Sequence, residues 1–271
     1  METGPFLSHR VWFSRDMRSS LNYLRPMRRH VPNALTAANL LFGFMACLSA
    51  MEGHLAIASY YIAAGALFDL LDGLVARMLG VSGEFGKQLD SLADMVTFGV
   101  APGFIAHELI LRSVFFTAGE LPTTGILPYL HFFSLLIPLG AALRLARFNI
   151  STTESKDFTG MPTPANALLW ASIPLALPQM DGTLLEAWFE QPWILSLISV
   201  LSLVLMTSRI PLMSMKIDRT EPGRAIWQSI LILLGASLII WLGFAAVPLI
   251  IGIYLLLSLI RTRLGPHEIQ S

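Results

Sequence analysis

The sequence predicts an all-α integral membrane protein of about eight transmembrane helices. Three observations lead there. The 271 residues are 54% hydrophobic and only 13% charged, about half the charge of an average soluble domain. Apolar runs of membrane-spanning length, roughly 17–25 residues, recur at 33–51, 55–79, 86–111, 126–148, 163–180, 192–208, 225–241 and 243–260. The basic residues segregate. With eight spans, Arg10, Arg15, Arg18, Arg25, Arg28, Arg29, Arg77, Lys87, Arg144, Arg147, Lys156, Arg209, Lys216, Arg219, Arg224, Arg261 and Arg263 fall on one side. Only Arg112 falls on the other, where the loops carry Glu52, Glu120, Asp181, Glu186 and Glu190. By the positive-inside rule both termini are then cytoplasmic, in the cytoplasmic (inner) membrane.

The elements follow in order. Residues 1–32 form a basic arm in which Trp12, Phe13, Met17, Leu21 and Leu24 recur at near-helical spacing between arginines. That pattern suits an interfacial helix on anionic headgroups; a disordered basic arm that only sets topology is the other reading. The arm lacks a continuous apolar core, so no cleaved signal is expected. Residues 33–208 carry six spans. Residues 209–271 add a cytoplasmic loop, two further spans and a short tail. The single Cys47 lies in an apolar run and reads as a small core residue, with no disulfide framework or thiol metal motif. Net charge is zero, and no nucleic-acid partner is expected. His9, His30, His54, His107 and His131 read as interfacial or structural.

The stretch 69–94, DLLDGLVARMLGVSGEFGKQLDSLAD, breaks the apolar pattern. Ionisable residues inside membrane spans are costly and by default suggest function. Asp69 and Asp72 are three apart on a helix, and Asp90 and Asp94 four apart, so each pair shares a face. A turn at Gly80–Gly83 would fold the two helices into a hairpin and bring the four carboxylates together. Gathered acids repel, and Arg77 supplies one positive charge against four. Divalent metal answers the deficit. Oxygen-only ligands suit Mg²⁺ or Mn²⁺, whose coordination shell is commonly completed by phosphate oxygens. Two such ions would clamp a phosphoryl group during in-line displacement, and a carboxylate free of metal would deprotonate an attacking hydroxyl. Asp94, farthest along, is the candidate base. Gly73, Ala76 and Gly86 leave room for a flat ligand or a neighbouring helix. Arg144 and Arg147, three apart at the cytoplasmic end of the fourth span and near Asn149, suit an acceptor carboxylate or a lipid phosphate; topology determination and snorkelling are the structural alternative. On the residues alone, a cation or proton pathway in a transporter stays open.

The spacing D-x-x-D-G-x-x-A-R-x8-G-x3-D-x3-D resembles the signature of the CDP-alcohol phosphotransferases. Every fixed position is present as Asp69, Asp72, Gly73, Ala76, Arg77, Gly86, Asp90 and Asp94. The segments VPNALTAANLLFGF (31–44), LDSLADMVTFGVAP (89–102), RLARFN (144–149) and FTGMPTPA (158–165) resemble the bacterial and archaeal phosphatidylserine-synthase branch, with Met161 where relatives often carry leucine. The resemblance implies a six-helix catalytic core, a divalent metal site and a homodimer. It implies that CDP-diacylglycerol and L-serine give phosphatidylserine and CMP among membrane lipids. By position, Asp69, Asp72 and Asp90 would ligate metal, with Asp94 sharing that role or acting as base on the serine hydroxyl. Gly73, Ala76, Arg77 and Gly86 would line the nucleotide site, and Asn39 would reach the pyrophosphate. Glycerol 3-phosphate or inositol phosphate is the alternative acceptor within the family.

Overall fold

A computed structural model describes residues 8–81, 83–119, 124–150, 158–209, 211–212 and most of 234–264. Helix α1, Ser8–Met51, is 44 residues long. At 1.5 Å per residue that is ~66 Å, about twice the hydrocarbon thickness of a bilayer. The arm is therefore helical from Ser8 and enters the first span without a break. Its apolar part is His30–Met51. The arm's side chains lie outside the described residues, so its interfacial contacts do too.

A turn at Gly53 (φ +78°) joins α1 to α2, Leu55–Leu79. The predicted turn at Gly80 is a left-handed helix cap. Gly80 has φ +60°, its N–H donates to the Arg77 carbonyl, and the Val81 N–H donates to the Ala76 carbonyl. This Schellman pattern satisfies two of the carbonyls that a helix end leaves orphaned.

The third predicted span, 86–111, runs longer than its apolar core. It begins as α3, Glu84–Asp94, passes through a π-helical segment at Met95–Val100 and continues as α4, Ala101–Ala118. No residue stops it before Gly119, where φ turns to +74°. The fourth begins as a 3₁₀ segment, Leu127–Leu135, and becomes α5, Leu136–Ile150. The fifth is the shorter α6, Thr163–Ala176, extended by a 3₁₀ turn to Gln179. A short α7, Leu184–Phe189, precedes α8, Pro192–Thr207. The seventh predicted span, 225–241, lies largely outside the described residues. The eighth begins at Gly243 (φ +57°) and continues as the helix Ala246–Leu264. Apart from a two-residue antiparallel pairing of Phe158–Thr159 with Pro211–Leu212, the described structure is helical or turn. Three of its helices are long and apolar enough to cross a membrane, His30–Met51, Glu84–Ala118 and Leu127–Ile150. The protein is an integral membrane protein.

Helices α1, α2, α4 and α6 share one core, built from Ala46, Ala50, Ala58, Ile62, Ile105 and Trp170, with Phe98 of the π segment. Cys47 is buried there as expected, and His107 and His131 stack edge to face. Small residues set the helix spacing, as is usual where lipid supplies no hydrophobic drive between helices. A Cβ on Gly65 of α2 would meet the Thr97 Cγ2 at 2.6 Å and the Asn39 Oδ1 at 3.0 Å. Gly43 of α1 faces the same Thr97. On α8, buried Ser199 and Ser202 face the bundle, and Ser202 accepts from the Trp170 indole N–H at 3.1 Å.

The FTGMPTPA segment closes the end of α8. The Met161 N–H donates to the Leu205 carbonyl at 2.9 Å. Gly160, at φ +74°, lies where a Cβ would meet three backbone carbonyls of residues 205–208 within 3.0 Å. Met161 is fully enclosed, so thioether replaces leucine with no loss of fill.

Replacing Gly65 by alanine forces Thr97 and Asn39 apart. Overpacking of this kind costs roughly 1–3 kcal/mol. Thermal melting in detergent should therefore fall by several degrees, whereas alanine at Gly73, inside α2 with nothing within 4 Å, should not lower the melting temperature, since alanine favours a helix interior over glycine.

Candidate active site

The hairpin of α2 and α3 does what the spacing requires. One ligating oxygen from each of Asp69, Asp72 and Asp90 lies within 4.8 Å of the others. Asp72 is buried, and Asp69 and Asp90 are half-buried. Asp94 stands one turn beyond Asp90, at the junction of α3 with the π segment. It is outside the group of three, and its Oδ1 accepts from the Asn39 Nδ2 at 3.4 Å. Three carboxylates thus meet within 4.8 Å, and the fourth, Asp94, stands beside them within electrostatic reach of all three.

Helix α1 backs the site. The Thr36 hydroxyl donates to Asp72 Oδ2 at 2.6 Å. Asn39 is fully buried, and its main-chain carbonyl accepts from the Thr97 hydroxyl at 3.0 Å. Asn39 therefore lies behind Asp94, between α1, α2 and the π segment. Such π turns occur often at functional sites. Here the turn carries Thr97 against α1 immediately after Asp94.

The other expected residues separate by environment. Gly73 and Ala76 continue the Asp69–Asp72 face of α2, and the open space at Gly73 lies next to Asp72. Arg77 is exposed at the end of α2. Gly86 instead serves helix approach, since a Cβ there would sit 3.1 Å from the Asn33 Oδ1 of α1. Arg147 donates to the Thr207 carbonyl at 2.7 Å and so ties α5 to the end of α8. Asn149 exchanges hydrogen bonds with Ser91 at 2.9 and 3.1 Å, which fixes α5 to α3. Arg144 differs from both. Its Nε is buried and has no partner among the described residues, and it lies within the electrostatic reach of Asp94.

The donor set fits a divalent cation. It is made only of carboxylate oxygens, which suits hard ions. Among the described residues no lysine or arginine forms an ion pair with any of the four aspartates; the ion pairs present join His54 to Glu52 and Arg112 to Glu108. An acid cluster without an ion-paired lysine or arginine among the described residues has the electrostatics of a metal site.

Thr36, Ser91, Thr97, Gly43 and Gly65 do not stand out in the sequence, yet each holds part of this arrangement. The available signal was on α1, where Thr36, Asn39 and Gly43 recur at spacings of three and four and give a small, polar face within an apolar span.

Residues 29–206 match the family model described as CDP-alcohol phosphatidyltransferase. The chain belongs to the CDP-alcohol phosphatidyltransferase family. The match includes all four aspartates and every helix that touches them. Among family members, a CDP-diacylglycerol–serine O-phosphatidyltransferase of Helicobacter pylori is 33% identical over 235 residues, covering 85% of this chain and 90% of the relative. One from Mycobacterium leprae is 31% identical over 218 residues, covering 78% and 67%. An archaetidylserine synthase of Methanothermobacter thermautotrophicus is 36% identical over 147 residues, covering 52% and 56%. Family membership disfavours the transporter reading that the aspartates alone left open.

A cation that binds the folded state stabilises it, by about 2.7 kcal/mol at a hundred times its dissociation constant. Adding Mn²⁺ to metal-free protein in detergent should raise its melting temperature. Asp69→Asn or Asp90→Asn should abolish that rise, and Arg147→Ala should leave it intact.

Proposed function

We propose that this protein transfers the phosphatidyl group of CDP-diacylglycerol to the hydroxyl of L-serine, giving phosphatidylserine and CMP. The observation that carries the reading is the division of the four aspartates into three clustered acids and one separate acid, in a chain whose relatives are named for this transfer. Asp69, Asp72 and Asp90 would hold Mg²⁺ or Mn²⁺, which when bound neutralises the diphosphate and stabilises the departing CMP. The chain's own residues do the rest. Asp94, outside the cluster, takes the proton from the serine hydroxyl. The serine oxygen forms a bond to the phosphorus that carries diacylglycerol. The bond from that phosphorus to the CMP oxygen breaks, CMP leaves with the electron pair, and the proton on Asp94 passes to water. No protein nucleophile is needed, because positioning and charge neutralisation supply most of what phosphoryl transfer requires.

Gly73, Ala76 and Arg77 would border the nucleotide, with Gly73 supplying free space and Arg77 an exposed cation. Gly86 and Asn39 support that border from behind, through α1. For the serine carboxylate Arg144 is the best placed of the three candidates, because Arg147 and Asn149 already spend hydrogen bonds on α8 and α3. The reading also carries the six-helix core at 33–208, eight spans with both termini and the site on the cytoplasmic side of the inner membrane, and a homodimer, the last on family resemblance alone. A cytoplasmic site suits the substrates, since a soluble nucleotide joined to a diacylglycerol holds its scissile phosphate at the membrane interface.

Purified protein supplied with CDP-diacylglycerol, serine and Mn²⁺ should release CMP, and excess EDTA should stop it. Asp94→Asn should lower kcat by roughly 10²–10⁴-fold, the usual contribution of a general base, while keeping the Mn²⁺-dependent rise in melting temperature. Near-normal turnover would remove Asp94 as base. In a panel of radiolabelled serine, glycerol 3-phosphate and inositol phosphate, only serine should yield labelled lipid.

Orientation has its own test. In a Cys47→Ser background, Lys87→Cys should react with an impermeant maleimide only from the cytoplasmic face, and Glu186→Cys only from the opposite face. The reverse pattern would invert the topology.

A further inference from the structure

Among the described residues, Asp72 is the one member of the three-acid cluster whose side chain receives a hydrogen bond from another helix. The donor is Thr36, one turn before Asn39 on α1. Both partners are buried, Thr36 at 4% exposure and Asp72 at 6%. The Thr36 oxygen is 2.6 Å from Asp72 Oδ2 and 3.0 Å from the Pro32 carbonyl. A hydroxyl has one proton, and the shorter contact has the length of a charge-assisted bond to a carboxylate. The Thr36 hydroxyl is therefore the donor and Asp72 Oδ2 the acceptor.

The register of this contact is fixed from two further points. Thr97 hydrogen-bonds the Asn39 carbonyl, and Gly43 and Gly65 let α1 and α2 close on Thr97 without a gap. Helix α1 cannot slide relative to the cluster without breaking one of these contacts. A hydrogen bond to one carboxylate oxygen restricts rotation of the group and leaves its other oxygen free of that bond. Partners that hold ligating groups in this way commonly change metal affinity or activity by 10–100-fold when removed.

We propose that Thr36 is a positioning residue of the metal site: its hydroxyl holds the Asp72 carboxylate in the orientation that faces Asp69 and Asp90, and so sets the affinity of the cluster for a divalent cation. The inference rests on the metal reading of the cluster given above. Thr36 touches no reacting atom and acts only through Asp72.

The test is Mn²⁺ binding to full-length protein in detergent without substrate, read from the electron paramagnetic resonance of free Mn²⁺, with melting of the metal-free protein alongside. Thr36→Val keeps the shape and removes the hydroxyl; Thr36→Ala is a second removal, and Thr36→Ser restores the hydroxyl. Wild type and Thr36→Ser should bind alike, while Thr36→Val and Thr36→Ala should bind Mn²⁺ about 10–100-fold more weakly. Where either removal variant melts as wild type does, its weakened binding is due to the site and not to unfolding. In turnover, the loss should appear as a higher Mn²⁺ requirement, with kcat recovering at saturating Mn²⁺. Wild-type affinity in Thr36→Val or Thr36→Ala would overturn the inference and leave the metal reading standing. Equal weakening in Thr36→Ser would also overturn it, since packing and not the hydroxyl would then matter. A wild type that binds no Mn²⁺ would overturn both.

Discussion

Ligating oxygens of Asp69, Asp72 and Asp90 lie within 4.8 Å of one another, in helices that otherwise bury apolar surface. At that distance two unit charges repel by roughly 3 kcal/mol at an effective dielectric of about 20. Three pairs of such charges, with no lysine or arginine paired to them among the described residues, oppose the fold that gathers them. The rest of the site is arranged around this repulsion. A hydrogen bond relieves part of it at Asp72, a divalent cation would answer the remainder, and that cation would in turn suit a diphosphate. The same groups that are costly in the empty protein would become favourable with cation and nucleotide both bound.

Holding those acids together is the work of packing some distance away. The α2–α3 turn depends on Gly80 in the left-handed region. The approach of α1 depends on Gly43 and Gly65 against Thr97. Beyond the hairpin, α5 is tied to α3 through Asn149 and Ser91, and to α8 through Arg147. These ties leave Arg144 half-buried, with a buried Nε that has no hydrogen-bond partner among the described residues. A buried N–H without a partner is costly, and an acceptor carboxylate would satisfy it.

The π segment links fold and chemistry. It falls directly after Asp94, where the helix that supplies the last two aspartates must also continue as a long apolar span. The wider turn presents Thr97 to the Asn39 carbonyl while Phe98 enters the common core. Asp94 stands at the start of this turn, outside the group of three but within electrostatic reach of it, a placing that would suit a base distinct from the metal ligands.

Much of this was legible in the sequence. Composition and run length gave the membrane class. The three- and four-residue spacings of Asp69–Asp72 and Asp90–Asp94 predicted two shared faces, and Gly80 the turn between them. These features are local: helix periodicity and glycine's conformational freedom act over a few residues and can be read from one segment at a time. The division of the acids into three and one, the partnership of Thr36 with Asp72, the placing of Asn39 behind Asp94 and the different fates of Arg144 and Arg147 were not legible. Each depends on which helices approach and at what register, so residues 18 to 60 positions apart must meet. The sequence by itself determined that four carboxylates would converge in a membrane protein. Only the tertiary structure decided which of them stand together, because that depends on the angle and closeness of helices set by contacts far along the chain.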